Sequence, residues 1–361
     1  MHKYITSLLL LSLSFFACER DKNTPKIAEK WDNDAKVLVV KLDKIKLRKN
    51  PHIKGETIDT LHIGAHLLDK NEVGENLTLG SIDSVMYWSP WLKVETKEGQ
   101  EGWVYAEGID FSTKESVLSQ KKAMALFGKQ LYVECLIYQE KQEEILTAKD
   151  FAVNYRKGIQ LRDSIIALVD IFLEKLPMDV GLPNFFWLEE ILPGFITQLV
   201  AEGSRYYLFA DYKHWYTISK ASKGEEDDDY VQICFDVFPT DSIEYFFSAW
   251  TIQTWDYGGH SLLGRGIHLG ILKSIDSCLT KSQLFQPGLQ EIKQEILDDI
   301  TVDDITYWES KEKIGKEVSS ILTDEITILT KEDKIALEVR LMQFKSPEKY
   351  NIDLNLFPGR E

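Results

Sequence analysis

The dominant hydrophobic period of this chain changes near residue 110, and that change limits what it can fold into. From Lys36 to Asp110 the apolar residues come in short runs separated by glycine-bearing turns; Leu92 and Val94, for example, project opposite to Trp91 and Lys93. That is the pattern of half-buried strands. Beyond residue 115 apolar residues recur at spacings of three and four, the period of a helix with one buried face. A small all-β module over 36–110, followed by a helix-rich domain (mainly α, or α+β) over 115–361, is therefore expected.

Within the second region, Leu161, Ile165, Leu168, Phe172 and Leu176 form one stripe that Pro177 stops. Residues 185–200 form another, interrupted at Pro193-Gly194, which predicts a kink or two short helices. Ile243, Phe246, Phe247 and Trp250 make a third stripe, and Leu263, Ile267, Ile271, Ile275 and Leu279 a fourth. Leu289, Ile292, Ile296 and Ile300 make a fifth, with Pro287 placed for a first turn. Near the end, Ile335, Leu337, Val339 and Leu341 alternate, and Ile326 and Ile328 precede them across 331–334. That alternation predicts a C-terminal β-hairpin. Residues 205–220 carry no assignable period.

The N-terminus opens Met1-His2-Lys3 and continues with an apolar or hydroxyl-bearing run from Ile5 to Ala17. The run falls short of the roughly 20 apolar residues a membrane span needs, so a cleaved secretory signal is the better reading. Cys18 follows Phe15-Phe16-Ala17. This resembles the lipobox of bacterial lipoproteins, with Phe15 standing where Leu is usual. The resemblance implies a signal peptide over 1–17 and a lipidated Cys18 as the mature N-terminus. Residues 18–35 are polar without a hydrophobic period, as in a tether. Glu19 rather than Asp follows the cysteine, which by resemblance to Gram-negative sorting implies the outer membrane.

The β-type region carries a second resemblance. Leu47-Arg48-Lys49-Asn50-Pro51, then Gly55 and Ile58, then Trp91-Leu92-Lys93-Val94, and finally Gly99 and Gly102-Trp103-Val104 occur in the order found in bacterial SH3-like domains of envelope proteins. Residues 68–88 are longer than the usual connection, as an elaborated hairpin would be. The resemblance implies a small SH3-like barrel over 36–110 that binds peptides or cell-wall material. Tyr87, Trp88, Trp91, Trp103 and Tyr105 are the candidates for an aromatic groove; the competing reading is that they fill a small core.

Composition excludes some partners. Forty-two basic residues stand against 58 acidic, a formal net charge of −16. A nucleic-acid partner needs a basic footprint, and so does peripheral adhesion to anionic lipid, which leaves Cys18 as the expected membrane attachment. Beyond Cys18 three cysteines remain, Cys135, Cys234 and Cys278, none in metal-ligand spacing and all among apolar neighbours. Buried inert thiols are expected, with one disulfide also open. The acidic run 225–229 lacks the ligand spacing of a calcium loop and reads as a solvated loop.

The densest polar stretch is 250–268, with Trp250, Trp255, Asp256, Tyr257, His260, Arg265 and His268 as candidate ligand-binding residues. Gly259-His260-Ser261 is not a nucleophile elbow, because Leu263 occupies the second glycine position. Gly264-Arg265-Gly266 is not a phosphate loop, because Gly270 comes one residue late. A metal site on Asp256, His260 and His268 has no identifiable fourth ligand, although Glu189, Glu190 or His214 could supply one; no metal and no cofactor is assigned. Cys234 lies between Ile233 and Phe235, without the Asp-Cys-Ser motif of papain-like wall peptidases. The alternative for the whole stretch is a tight turn at Gly258-Gly259 between two buried helices, with Gly264, Gly266 and Gly270 allowing close packing. Two functions are thus open. One is a non-catalytic envelope lipoprotein that binds a partner protein or peptidoglycan; the other is a wall-acting hydrolase around Asp256 and His260. If Cys18 is the anchor, the intact mass of membrane-extracted protein will show acyl additions on a chain starting there, and Cys18→Ser will remove them.

Overall fold

The computed structural model describes residues 36–82, 84–112, 115–177, 180–200, 205–239, 247–253 and 259–356. The expected signal peptide, tether and Cys18 lie outside them. The described residues divide into two compact units, 36–72 with 92–110, and 73–91 with 111–356. The contiguous 36–110 module expected from sequence is thus interrupted, and 73–91 belongs with the helical unit.

Short alternating runs form eight strands: β1 (Val37–Val39), β2 (Ile45–Arg48), β3 (Thr57–Leu61), β4 (His66–Val73), β5 (Thr78–Ile82), β6 (Val85–Ser89), β7 (Trp91–Glu95) and β8 (Glu101–Tyr105). Six of them make one sheet in the order β1-β4-β7-β8-β2-β3. β1 runs antiparallel to β4 with Val37 opposite Leu68, and β2 runs antiparallel to β3 with a register shift between Leu47 and Arg48. The inward positions Leu38, Leu47, Leu61, Leu67, Leu92, Val94 and Val104 are buried, so each strand covers one face. A single 3₁₀ turn (Ala106–Gly108) follows β8, and Ile109 then forms an antiparallel bridge with Val40. The glycine of the Gly-Trp-Val run is required by close packing. A Cβ on Gly102 would lie 2.7 Å from Leu47 Cγ and 2.9 Å from the Arg48 carbonyl oxygen.

The second unit begins with the β5–β6 hairpin, Thr78 opposite Ser89 and Ile82 opposite Val85. Trp88 of this hairpin donates its indole N–H to the Gly181 carbonyl at 3.1 Å and meets Phe172 edge-on at 5.5 Å. The helices are α1 (Glu115–Glu143, kinked at Gly128), α2 (Ala148–Leu173), α3 (Leu188–Ile191), α4 (Tyr212–Ala221), α5 (Glu226–Val237), α6 (Ile267–Lys281), α7 (Gln286–Thr301), α8 (Lys311–Thr323), α9 (Lys331–Phe344) and α10 (Pro347–Tyr350). Two further antiparallel hairpins sit among them, β9 (Phe195–Val200) with β10 (Arg205–Ala210), and β11 (Thr251–Gln253) with β12 (Gly259–Ser261).

Local chemistry explains where these helices start. Thr147 and Asp150 cap each other at the head of α2, whose Phe151, Tyr155, Leu161, Ile165, Val169 and Phe172 are buried at helical spacing. Pro287 enters the first turn of α7, and Leu289, Ile292, Ile296 and Ile300 are buried as the fifth stripe predicts. The core centres on Trp215, fully buried, whose ring lies 4.9 Å from Tyr155 and 5.3 Å from Phe151, with its indole donating to the Gly194 carbonyl at 2.8 Å. Among the described residues no helix is long and apolar enough to cross a membrane.

Three expectations need correction. Residues 185–200 are not a kinked helix, because the chain turns at Pro193-Gly194 and enters β9, which pairs with β10. Residues 205–220, unassigned from sequence, supply that partner strand and α4. The hairpin expected over 326–341 is instead the entry to helix α9: Thr330 and Asp333 form a reciprocal cap, and only Leu337 of the alternating set is fully buried, with Ile335 and Val339 exposed. The hairpin of the C-terminal half lies earlier in the chain, at β11–β12. Of the third stripe, Ile243 and Phe246 lie outside the described residues, and Phe247 to Trp250 are not helical. The cap gives a direct test. Thr330→Ala will lower stability to urea by about 1 kcal/mol, the worth of a lost N-cap.

Candidate functional site

The candidate stretch is a strand hairpin followed by a helix, not a turn between two helices. Thr251 pairs with Ser261, Ile252 with His260 and Gln253 with Gly259, so Gly259 is a strand residue. Trp255, Asp256, Tyr257 and Gly258 lie outside the described residues. Ser261 also bridges to Tyr307; its N–H donates to the Thr306 carbonyl at 2.8 Å, and its carbonyl accepts from Trp308 at 2.9 Å. β12 is therefore held on both sides.

The polar side chains of this stretch converge on three carboxylates. Ser261 Oγ donates to Asp299 Oδ2 at 2.5 Å, and His268 Nε2 meets the same oxygen at 2.8 Å. His268 is fully buried on α6, with its ring centroid 6.0 Å from that of Trp250. Its Nδ1 lies 3.9 Å from Glu317 Oε1, beyond hydrogen-bond distance, and has no hydrogen-bond partner among the described residues. Glu317 in turn accepts three backbone N–H groups, from Gly264 at 2.6 Å, Gly266 at 2.8 Å and Leu269 at 3.1 Å. These amides lead into and open α6, where helix amides lack internal acceptors and a negative charge is favoured. Arg265 Nε pairs with Glu309 Oε1 at 2.7 Å, and Lys313 Nζ with Glu309 Oε2 at 2.6 Å. Lys313 and then Arg265 hold the Glu309 carboxyl below its usual range.

The glycines have separate reasons. Gly264 adopts a φ of +106°, and a Cβ there would lie 3.0 Å from the Ile314 amide nitrogen. Gly266 takes the left-handed conformation before α6, with a φ of +83°. Gly270, expected to permit close packing, has nothing within 4 Å of where a Cβ would stand.

Chemically, the cluster is a fork on Asp299. Nucleophilic catalysis needs the histidine between the hydroxyl and the carboxylate, so that it can take the hydroxyl proton. Here the hydroxyl and the imidazole both address one carboxylate oxygen, and the imidazole is sealed from solvent. His260 is separate. It is half-buried, with Nδ1 2.6 Å from Thr306 Oγ1 and its ring 5.8 Å from that of Trp308. Of the residues considered as a fourth metal ligand, Glu189 accepts the Thr197 amide at 2.7 Å and His214 Nε2 lies 3.2 Å from Gln142 Oε1. Among the described residues no group of three or more His, Cys, Asp or Glu could hold a metal ion.

The five aromatics of the candidate barrel groove are divided between the two units. Tyr87, Trp88 and Trp91 belong to the helical unit, and Trp103 and Tyr105 to the sheet unit. Trp91 is buried, and Trp88 is engaged by Gly181 and Phe172. Cys135, Cys234 and Cys278 are free and buried; burial pushes the first two thiols up to about 12 and the third to about 11. None is a nucleophile at neutral pH.

One grouping had no signal in the sequence. Tyr207, Leu208, Phe209 and Ala210 of β10, Tyr212 of α4, Phe238 and Arg162 of α2 line a cleft of about 140 Å³. Tyr207, Phe209 and Tyr212 fall within the stretch without a period, and Phe238 and Arg162 are remote from it in the chain.

No protein-family model matches the chain, and comparison with curated proteins and with solved structures returned no match.

The fork has a measurable consequence. Asp299→Ala leaves a buried hydroxyl and a buried imidazole without their acceptor and will cost about 2–4 kcal/mol in denaturant unfolding. His260→Ala, at a half-buried site bonded to Thr306, will cost about 1 kcal/mol.

Proposed function

We propose that this chain is a non-catalytic lipoprotein of the cell envelope, held in the outer membrane through a lipidated Cys18, whose two units bind an envelope protein or peptidoglycan. The observation that carries the non-catalytic part is the fork on Asp299. Ser261 and His268, the groups with the chemistry for hydrolysis, are committed to one buried carboxylate oxygen. Arg265 is committed to Glu309.

The binding part rests on the sheet unit. Its six antiparallel strands, the single 3₁₀ turn after β8 and the return of Ile109 beside Val40 are features an SH3-like barrel would have. Gly102, in the most specific part of that resemblance, sits where a side chain would strike Leu47. The fold argument supports the module; it does not choose the ligand.

The test uses the full-length protein extracted from membranes and mixed with purified peptidoglycan sacculi and, separately, with envelope extract. The expected result is co-sedimentation with sacculi, or saturable capture of one envelope protein, with no soluble wall fragments detected by mass spectrometry. His260→Ala and Asp256→Asn will leave that binding unchanged. Release of wall fragments that either substitution abolishes would replace this reading with the hydrolase.

A further inference from the structure

The helical unit holds a cleft whose walls have the composition of a ligand site and whose one charged lining group is a cation. On one side the rings of Tyr207 and Phe209 stack with centroids 5.1 Å apart and planes 30° apart; on the other, Tyr212 and Phe238 stack at 6.1 Å and 15°. Arg162 of α2 completes the lining. The volume, about 140 Å³, is close to the ~150 Å³ of an apolar cavity that accepts one benzene ring. The space therefore suits a single six-membered ring.

Arg162 decides the charge of that ring. Its Nε and Nη2 both donate to one oxygen of Asp163, at 2.9 and 2.8 Å. Nη1 has no hydrogen-bond partner among the described residues. The guanidinium is about a quarter exposed, whereas Asp163 is largely in solvent. Tyr212 of the lining interacts with Tyr155 and Cys234, which also interact with Tyr230. Burial raises these phenols and the thiol far enough that all stay neutral at physiological pH. No lining residue offers a counter-charge, in a protein whose net charge is −16. An arginine paired with Asp163 along one edge, with its Nη1 free of hydrogen-bond partners among the described residues and aromatic faces beside it, can still take a planar carboxylate, which guanidinium binds through two parallel hydrogen bonds.

We propose that the cleft formed by Arg162, Tyr207, Phe209, Tyr212 and Phe238 binds a single six-membered ring bearing a carboxylate. The ring stacks on or between the aromatic side chains, and the carboxylate takes the free edge of Arg162. Two sources share this chemistry, an acidic sugar and an aromatic acid. The inference stands apart from the anchor and from the peptidoglycan reading, since it uses only residues of this cleft.

The experiment is calorimetric titration of the full-length, detergent-extracted protein with D-glucuronate, benzoate and D-glucose. Saturable binding of glucuronate or benzoate, at least about tenfold tighter than glucose, is expected, and the tighter acid identifies the source. Arg162→Gln will weaken that binding about tenfold or more, and Phe238→Leu will weaken it with the charge left in place. Melting curves matching the parent show that both variants are folded. Absence of saturable binding by either acid, glucose binding as tightly as the acids, or unchanged binding of the acid by folded Arg162→Gln would each overturn the proposal.

Discussion

The start of α6 is where the C-terminal half of this protein is joined together. A helix that begins inside a protein presents amides with no acceptor, and these must be satisfied or the burial is costly. Here the acceptor is Glu317 of α8, which takes the amides of Gly264, Gly266 and Leu269 at once. In the same first turn, His268 of α6 reaches Asp299 of α7, and Asp299 also takes the hydroxyl of Ser261 from β12. Three helices and a hairpin therefore share two carboxylates. Buried ions of this kind add little net stability over an apolar core of the same shape, since desolvation offsets most of the attraction. What they supply here is geometry, because each partner is usable in only one arrangement of the four elements.

The same logic recurs beside Asp299, at the last turn of α7. Arg340 of α9 is buried, and its guanidinium donates to the carbonyls of Ile300 and Val302 and to the hydroxyl of Tyr307. It closes the C-terminus of α7, where a cation is favoured. Nearer the N-terminus the organising contacts are aromatic. Trp215 sits among Phe151, Tyr155 and Phe195, and its one polar atom is satisfied by Gly194.

The residues that looked functional in sequence and those that look functional in the structure are different sets, for a physical reason. His260, Arg265 and His268 drew notice because polar and aromatic residues crowd a glycine-rich stretch. Such crowding is equally what a buried helix start requires, and pairing of His268 with Asp299, of Arg265 with Glu309 and of the α6 amides with Glu317 decides the matter, with His260 apart against Thr306. Those three carboxylates lie from 31 to 53 residues away from the groups they bind, so no local window contains both halves. The aromatic cleft was hidden for the same cause, with Arg162 on α2 and its ring partners on β10, α4 and the end of α5.

By itself the sequence determined the change from sheet to helix near residue 110, the buried faces of α2 and α7, and the burial of the three thiols, because each follows from periodicity or from immediate neighbours. The interruption of the sheet unit by 73–91, the strand at β9 and the helix at α9 were decided by tertiary structure. Residues 195–200 have apolar content that suits either state until β10 pairs with them. Residues 335–341 alternate as a strand would, but Thr330 and Asp333 cap a helix, and Leu337, Arg340 and Phe344 become its buried side. Local pattern states which residues need burial. Only contacts distant in the chain state what buries them.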